Sequence, residues 1–235
     1  MNLVLLLPED LANPQVAHLA GRRLAHVRQV HRVRVGDELS VGLLGGRMGR
    51  GRVLRLDDEA LELALTLDQD PPPKLPLTLV IAVPRPKVLN RVLAAAASLG
   101  AARIILLNAW KVEKAYWASP RMHPESLREQ LLLGLEQAKD TVLPDLRLAR
   151  LFRPFVEDEL PGLLAGGTGL LAHPGLAGAT PAILAAPVTL AIGPEGGWIE
   201  AEVQSLLRAG LKPLDLGPRI LRSETALAAL VGRLF

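Results

Sequence analysis

The chain has 235 residues, a formal net charge of +3 and 49% hydrophobic residues, with aromatics at only 3%. That apolar content supplies a sizeable core of Leu, Val, Ile and Ala and excludes a disordered chain. Cysteine is absent, which excludes disulfides, thiolate metal sites and cysteine nucleophiles and fits a reducing compartment.

The opening run, MNLVLLLPEDLANP, has no basic stretch ahead of it, and Pro8, Glu9 and Asp10 stop it well short of signal-peptide or membrane-span length. Apolar segments further in are all cut by Pro, Gly or charge within about a dozen residues. The chain therefore reads as soluble and cytoplasmic, with no membrane partner. LVLLL, RVRVGDELSVGLL, GRGRVLRL and ALELALTL then alternate and are separated by Gly36-Asp37, Gly45-Gly46 and Asp57-Asp58. Turn residues at such close spacing predict a small, mostly β domain over residues 1–70. GRMGRG (46–51) is glycine-rich and basic, but no helix follows it, so it reads as a hairpin or loop.

Arginines 22, 23, 28, 32, 34, 47, 50, 52 and 55 fall in this region, against Asp37 and Glu38 within the same stretch. A coding bias towards Arg explains the choice of Arg over Lys but not the clustering. Arginine binds phosphate bidentately and stacks on bases, so a polyanion-binding surface is expected, with Arg22, Arg23, His26, Arg28, Arg32 and Arg34 tracking phosphates.

DQDPPPKLP (68–76) is a stiff extended linker, since three consecutive prolines fit neither a helix nor a central strand. Beyond it the pattern changes, and residues 71–235 form a second domain. LTLVIAV (77–83) reads as a buried parallel strand. A helix from about Lys87 to Leu99 is closed by Gly100. RIILLN (103–108) is a strand, PESLREQLLLGLEQAK (124–139) an amphipathic helix, and GLLAH (169–173) and VTLAIG (188–193) are further strands. Glu200–Ala209 is a helix, KPLDLG (212–217) the last strand, and Ser223 caps a terminal helix to about Leu234. The alternation predicts an α/β domain with a mainly parallel sheet.

Ligands in open α/β sheets bind outside the carboxyl ends of the strands. Three strand ends here carry Gly and Pro: AHPG (172–175), GPEGG (193–197) and LGPRILRSETA (216–226). Glycine lets backbone groups approach a ligand and proline stiffens the loop, so a small ligand held by backbone hydrogen bonds is expected. Neither a P-loop nor a G-x-G-x-x-G after the first strand is present. His18, His26, His31, His123 and His173 show no metal-ligand spacing, so no metal is expected.

IGPEGGWIEAEV followed by LGPRILRSETA resembles the paired C-terminal motifs of the ribosomal RNA small-subunit methyltransferase E family, the uracil-N3 methyltransferases of 16S ribosomal RNA in the knotted SPOUT superfamily. LAHPG resembles that family's preceding loop, and RRLAHVRQVHRVRVGDEL its N-terminal motif. The resemblance implies a PUA-like N-terminal β-barrel, a SPOUT domain tied in a C-terminal trefoil knot, and a homodimer with its site near the subunit interface. It implies S-adenosylmethionine bent among the three loops, and 16S ribosomal RNA or the small ribosomal subunit as partner. Carried over by position, the cofactor residues are Leu171, His173, Gly175, Ile192, Gly193, Glu195, Gly197, Leu216, Gly217, Ile220, Leu221, Thr225 and Ala226.

Uracil N3 carries a proton, so the site must remove it or stabilise the anion. Arg222 is the first catalytic candidate, stabilising uracilate or binding a neighbouring phosphate; the alternative is an ion pair with Glu224 that fixes the loop. Glu224 is a candidate base or a structural acid at a helix start. Arg219 is a candidate RNA contact. Glu195 either positions the cofactor or caps the following helix, and Trp198 either stacks on a base or fills the core. The chain departs from the family pattern at Ser98, at Lys139-Asp140, and in AWKVEK, which stands where the family has Arg-Ser after the second strand. Alternatives are a methyltransferase of another ribosomal or transfer RNA nucleotide, or a noncatalytic RNA-binding protein on the same fold.

Overall fold

The computed structural model describes residues 2–28, 33–176 and 187–235, without the side chains of Arg22 and His26. The chain divides into two compact units: Met1–Pro73 with Leu132–Leu143, and Lys74–Leu131 with Pro144–Phe235.

The first unit holds β1 (Val4–Leu6), β2 (Leu11–Asn13), β3 (Val16–Leu19), α1 (Gly21–His26), β4 (Glu38–Leu43), β5 (Met48–Leu56) and β6 (Leu61–Gln69). They build one sheet in the order β1-β4-β5-β6-β3-β2. β1 runs parallel to β4, and the other pairs are antiparallel. Period-two patterning decides which side chains meet: Leu61, Leu63 and Leu65 are buried while Glu62 and Thr66 between and beyond them are not. With Leu6, Leu19, Val41 and Val53 they form the core of this unit. The GRMGRG run divides between a turn around Gly45-Gly46 and the start of β5.

The second unit opens with β7 (Leu75–Ala82), α2 (Pro86–Ser98), β8 (Ala101–Leu107) and α3 (Lys114–Trp117). Helix α4 (Pro124–Ala138) crosses the division between the units at Leu131/Leu132. Then come β9 (Asp145–Ala149), α5 (Phe152–Pro154), a π-helical turn (Phe155–Glu159), α6 (Leu160–Leu164), β10 (Thr168–Ala172), β11 (Val188–Ile192), α7 (Glu200–Arg208), β12 (Lys212–Leu214) and α8 (Ser223–Leu234). The sheet order is β12-β10-β11-β7-β8-β9, and every pairing is parallel. Burial on both faces explains the unbroken apolar runs: all five residues of β11 are buried, as are Leu79–Ala82 of β7. β8 and β9 lie on one side of β7, and β11, β10 and β12 on the other, so the order reverses at β7.

Two helix starts differ from expectation. Ser223 does not cap α8: it is already helical and buried, and extended Arg222 takes the cap position without a side-chain bond. Glu195 does not cap α7; Glu202, inside that helix, accepts the Ile199 backbone N–H at 3.0 Å instead. No helix among the described residues is long and apolar enough to cross a membrane.

Candidate active site

The carboxyl ends of β10, β11 and β12 and the approach to α8 enclose a cleft of about 520 Å³. His173, Ile192, Gly193, Glu195, Gly197, Leu216, Gly217, Ile220, Leu221 and Ala226 line it, together with Arg219 and Arg222. Leu171 is fully buried inside β10, and Gly175 and Thr225 are not part of the lining.

The loops are tied to one another by their own polar groups. Both carboxylate oxygens of Asp215 accept backbone N–H groups, from Gly175 at 3.3 Å and from Gly217 at 3.0 Å, so one side chain joins the β10 and β12 loops. Glu195 accepts the Arg85 N–H at 3.0 Å, fastening the GPEGG loop to the start of α2. Lys111 Nζ donates to the Gly196 carbonyl at 2.6 Å and also lines the cleft. Asp215 and Lys111 were not marked by sequence. The available signals were a charge ending an apolar strand and a lysine just past the carboxyl end of β8.

Trp198 is 4% exposed, so its ring belongs to the core as well as to the cleft wall. It packs on Phe152, with ring centroids 6.1 Å apart at 53°. A Cβ on Gly193 would stand 3.1 Å from Trp198 Cδ1 and Nε1, so the loop approaches the indole closely because position 193 has no side chain. Two buried nitrogens in the lining, His173 Nδ1 and Trp198 Nε1, have no hydrogen-bond partner among the described residues. Buried polar atoms are nearly always paired, so each such atom calls for an explanation, and a ligand in the cleft is one.

The two arginines of RILRSET and its one acid separate. Glu224 lies outside the cleft lining and pairs with Arg91 of α2 at 3.0 Å, so the alternative reading of Arg222, an ion pair with Glu224, is not what forms. Arg91 lies on the neighbouring helix, and that geometry outweighs proximity in sequence. Arg222 and Arg219 are exposed, and neither has a side-chain partner among the described residues.

The arginines of the first unit fare differently. Arg23 is joined to buried Asp10, with Nη2 2.6 Å from Oδ1 and Nη1 bonded to Oδ2, and it also donates to the Leu5 carbonyl at 3.1 Å. Its side chain is 18% exposed, and its guanidinium is matched to the Asp10 carboxylate. Arg28 pairs with Asp58 at 2.6 Å on the surface, and Arg34 is exposed. Arg47, Arg50 and Arg55 meet Asp70, Glu38 and Asp57. Arg32 lies outside the described residues, as do the side chains of Arg22 and His26. The acids within the arginine stretch, Asp37 and Glu38, are not the main partners: Asp10, Asp57, Asp58 and Asp70 all come from outside it. Among the described residues no group of three or more His, Asp or Glu side chains is placed to hold a metal.

The model of the RNA methyltransferase domain matches residues 71–234. The chain is 30% identical to the ribosomal RNA small subunit methyltransferase E of Treponema pallidum over 97% of its length and 88% of that protein. The Synechocystis protein of the same name is 28% identical over 93% of this chain and 72% of its own. A crystal structure of the Neisseria gonorrhoeae protein of that name, bound to S-adenosyl methionine, shares the fold with a TM-score of 0.76 at 24% identity, covering 99% of this chain and 96% of that one. The matched domain contains all three strand-end loops of the cleft, and the chain belongs to the RNA methyltransferases, in the ribosomal RNA small subunit methyltransferase E family.

Proposed function

We propose that the protein transfers the methyl group of S-adenosylmethionine to N3 of a uridine in 16S ribosomal RNA, as a cytoplasmic homodimer. On this reading residues 1–70 are a PUA-like RNA-binding barrel, and residues 71–235 a SPOUT domain closed by a trefoil knot. The observation that carries the reading is the 520 Å³ cleft with its two unpartnered buried nitrogens and an unpaired Arg222 in one lining. Its volume falls within the range of about 300–1,000 Å³ typical of cofactor sites.

The residues fit the cofactor. Leu214, Leu216, Ile220 and Leu221 offer an apolar wall for an adenine, and His173 Nδ1 and Trp198 Nε1 offer polar atoms that the protein leaves unmatched. Leu171 is buried in β10 beneath the loops, Gly175 donates its N–H to Asp215, and Thr225 lies in the first turn of α8. When bound, the cofactor supplies an electrophilic methyl on a sulfonium.

The rest of the chemistry falls to the chain. The acceptor N3 gives up its proton to solvent, which leaves negative charge spread over N3 and the flanking uracil oxygens, and the N–C bond then forms as the bond between the methyl and sulfur breaks. Arg222, an always-charged guanidinium without a competing carboxylate, stabilises that charge. Arg219 holds an adjacent phosphate. Glu224, neutralised by Arg91, acts as a positioning residue that anchors the start of α8 and so the height of Arg222. Arg22, His26, Arg28, Arg32 and Arg34 contact more distant phosphates.

The test is methylation of ribosomal RNA from a strain lacking the gene, with purified protein and labelled S-adenosylmethionine, and mass-spectrometric mapping of the product beside Arg222→Ala. Label at a uracil N3 of small-subunit RNA that the variant fails to deposit supports the reading. Cofactor binding without label in any RNA refutes the substrate and leaves the fold untouched.

A further inference from the structure

The second unit carries a larger cleft, of about 1130 Å³, next to the one described. Its lining combines indoles with cations. Trp110 is 79% exposed, although its backbone is fixed: its N–H donates to Glu202 Oε1 at 2.7 Å. Trp117 is held by its Nε1, which donates to Asn108 Oδ1 at 2.9 Å, and the Arg150 guanidinium stands 4.9 Å over its ring. Lys114, Arg153 and Arg208 add to the cations. The acids of the lining are both engaged, Glu157 with Arg153 at 2.8 Å and buried Glu202 with backbone N–H groups.

The two clefts share walls. Trp110 lines the larger and Lys111 the smaller, Ile199 the larger and Trp198 the smaller, and the Phe152–Trp198 contact forms a partition between them. A ligand seated in the larger cleft is therefore next to the reacting centre.

We infer that this cleft binds a single-stranded segment of the RNA substrate, with a base stacked on Trp110 and backbone phosphates on Lys114, Arg150 and Arg208. Stacking platforms beside cationic tracks are how single strands are held irrespective of sequence. The main alternative occupant is a second copy of the chain, and charge argues against it: an isologous contact would set this group of cations against itself. The inference rests on the proposed RNA methylation and extends it to the strand flanking the target base. It also gives AWKVEK, the segment that departs from the family pattern, a role in gripping RNA.

The experiment titrates a fluorescein-labelled oligouridylate into the full chain and into Trp110→Ala, Trp110→Phe and Arg150→Ala, with cofactor affinity and RNA methylation measured in parallel. Trp110 is exposed, so its truncation leaves the core intact. Trp110→Ala is expected to weaken oligouridylate binding about tenfold or more, the loss typical of one stacked base. It should raise KM for RNA more than it lowers kcat, with cofactor affinity unchanged, and Trp110→Phe should restore most of the binding. Unchanged oligouridylate affinity in Trp110→Ala overturns the inference. So does a shift to a smaller mass in sedimentation equilibrium with RNA affinity intact, which makes the cleft an interface between copies. Trp110-dependent binding without any label transfer by the wild type would sustain the cleft and sink the proposed reaction, whereas transfer with an unchanged KM in Trp110→Ala would do the reverse.

Discussion

Arg91 on α2 and Glu224 on α8 are joined by an ion pair of 3.0 Å, and this leaves Arg222, two residues before Glu224, without a carboxylate of its own. The pair is partly exposed, with side-chain exposures of 57% and 19%, so its contribution to stability is at most about 1 kcal/mol. On the proposed reaction it divides the work between two neighbouring charged residues of RILRSET. Arg222→Ala is expected to reduce kcat on the order of 100-fold, the usual loss when one preorganised charge-stabilising donor is removed. Glu224→Gln and Arg91→Ala should act alike and mildly, within about tenfold, since each disturbs the anchor rather than the reacting group. Single-turnover rates at saturating cofactor measure this. A collapse in Glu224→Gln as deep as that in Arg222→Ala would make Glu224 a direct participant.

Gly193 tests the cofactor cleft from the opposite wall. A methyl group there meets the Trp198 indole at 3.1 Å, and the indole cannot easily retreat because it is buried and packed on Phe152. Overpacking of this kind costs about 1–3 kcal/mol, much of it in displacement of the loop. Gly193→Ala should therefore weaken S-adenosylmethionine binding about tenfold in calorimetric titration, while the bulk of the unit stays folded. An unaltered Kd would remove the GPEGG loop from the binding site.

The parallel sheet of the second unit was legible because burial on both faces writes an unbroken apolar run, as in LTLVIAV and VTLAI. The strand ends were legible because Gly and Pro mark where the chain must leave the sheet. Edge strand β9 was not, since DLRLA is short and half polar, as edge strands are. The grouping of residues 132–143 with the first unit was not legible either, because the helical period of α4 continues unchanged across the division. Site residues that work through pairing were the hardest to read. Arg23 in sequence is one arginine among many, and nothing there announces that a carboxylate thirteen positions earlier claims it. Trp110 was equally silent, since a lone tryptophan after a strand is more often core than surface.

Arg23 sets an arginine paired inside the first unit against those proposed to contact RNA. Asp10 is 8% exposed and accepts from Arg23 and from the Leu7 N–H, the latter at 2.6 Å. Removing one partner of such a pair leaves a buried charge uncompensated, a loss of about 3 kcal/mol or more. Arg23→Ala should thus lower the urea midpoint sharply, whereas Arg34→Ala, at an exposed position, should leave stability alone and weaken RNA binding modestly at low salt. If Arg23→Ala keeps its stability and loses RNA affinity instead, the ion pair is dispensable and the arginine belongs to the RNA surface.

Asp57 makes the stability of the β5–β6 turn depend on pH. Its carboxylate accepts the Ala60 and Glu59 N–H groups at 2.9 Å each and pairs with Arg55 at 2.5 Å. The Ala60 hydrogen bond, then that from Glu59, and to a smaller degree Arg55 hold its pKa below the usual carboxylate range. A carboxyl group whose folded pKa is depressed contributes stability that is fully present above the unfolded pKa and is lost as pH falls through the folded value. Asp57→Ala removes the acceptor at every pH. Wild type should therefore exceed the variant in stability near neutrality, and the gap should close as pH is lowered from about 5 through the acid range, because protonated Asp57 no longer favours those bonds. Urea unfolding at a series of pH values follows the gap. A difference that stays constant down to acid pH would mean that the turn is held by its backbone geometry and that the charge on Asp57 contributes nothing.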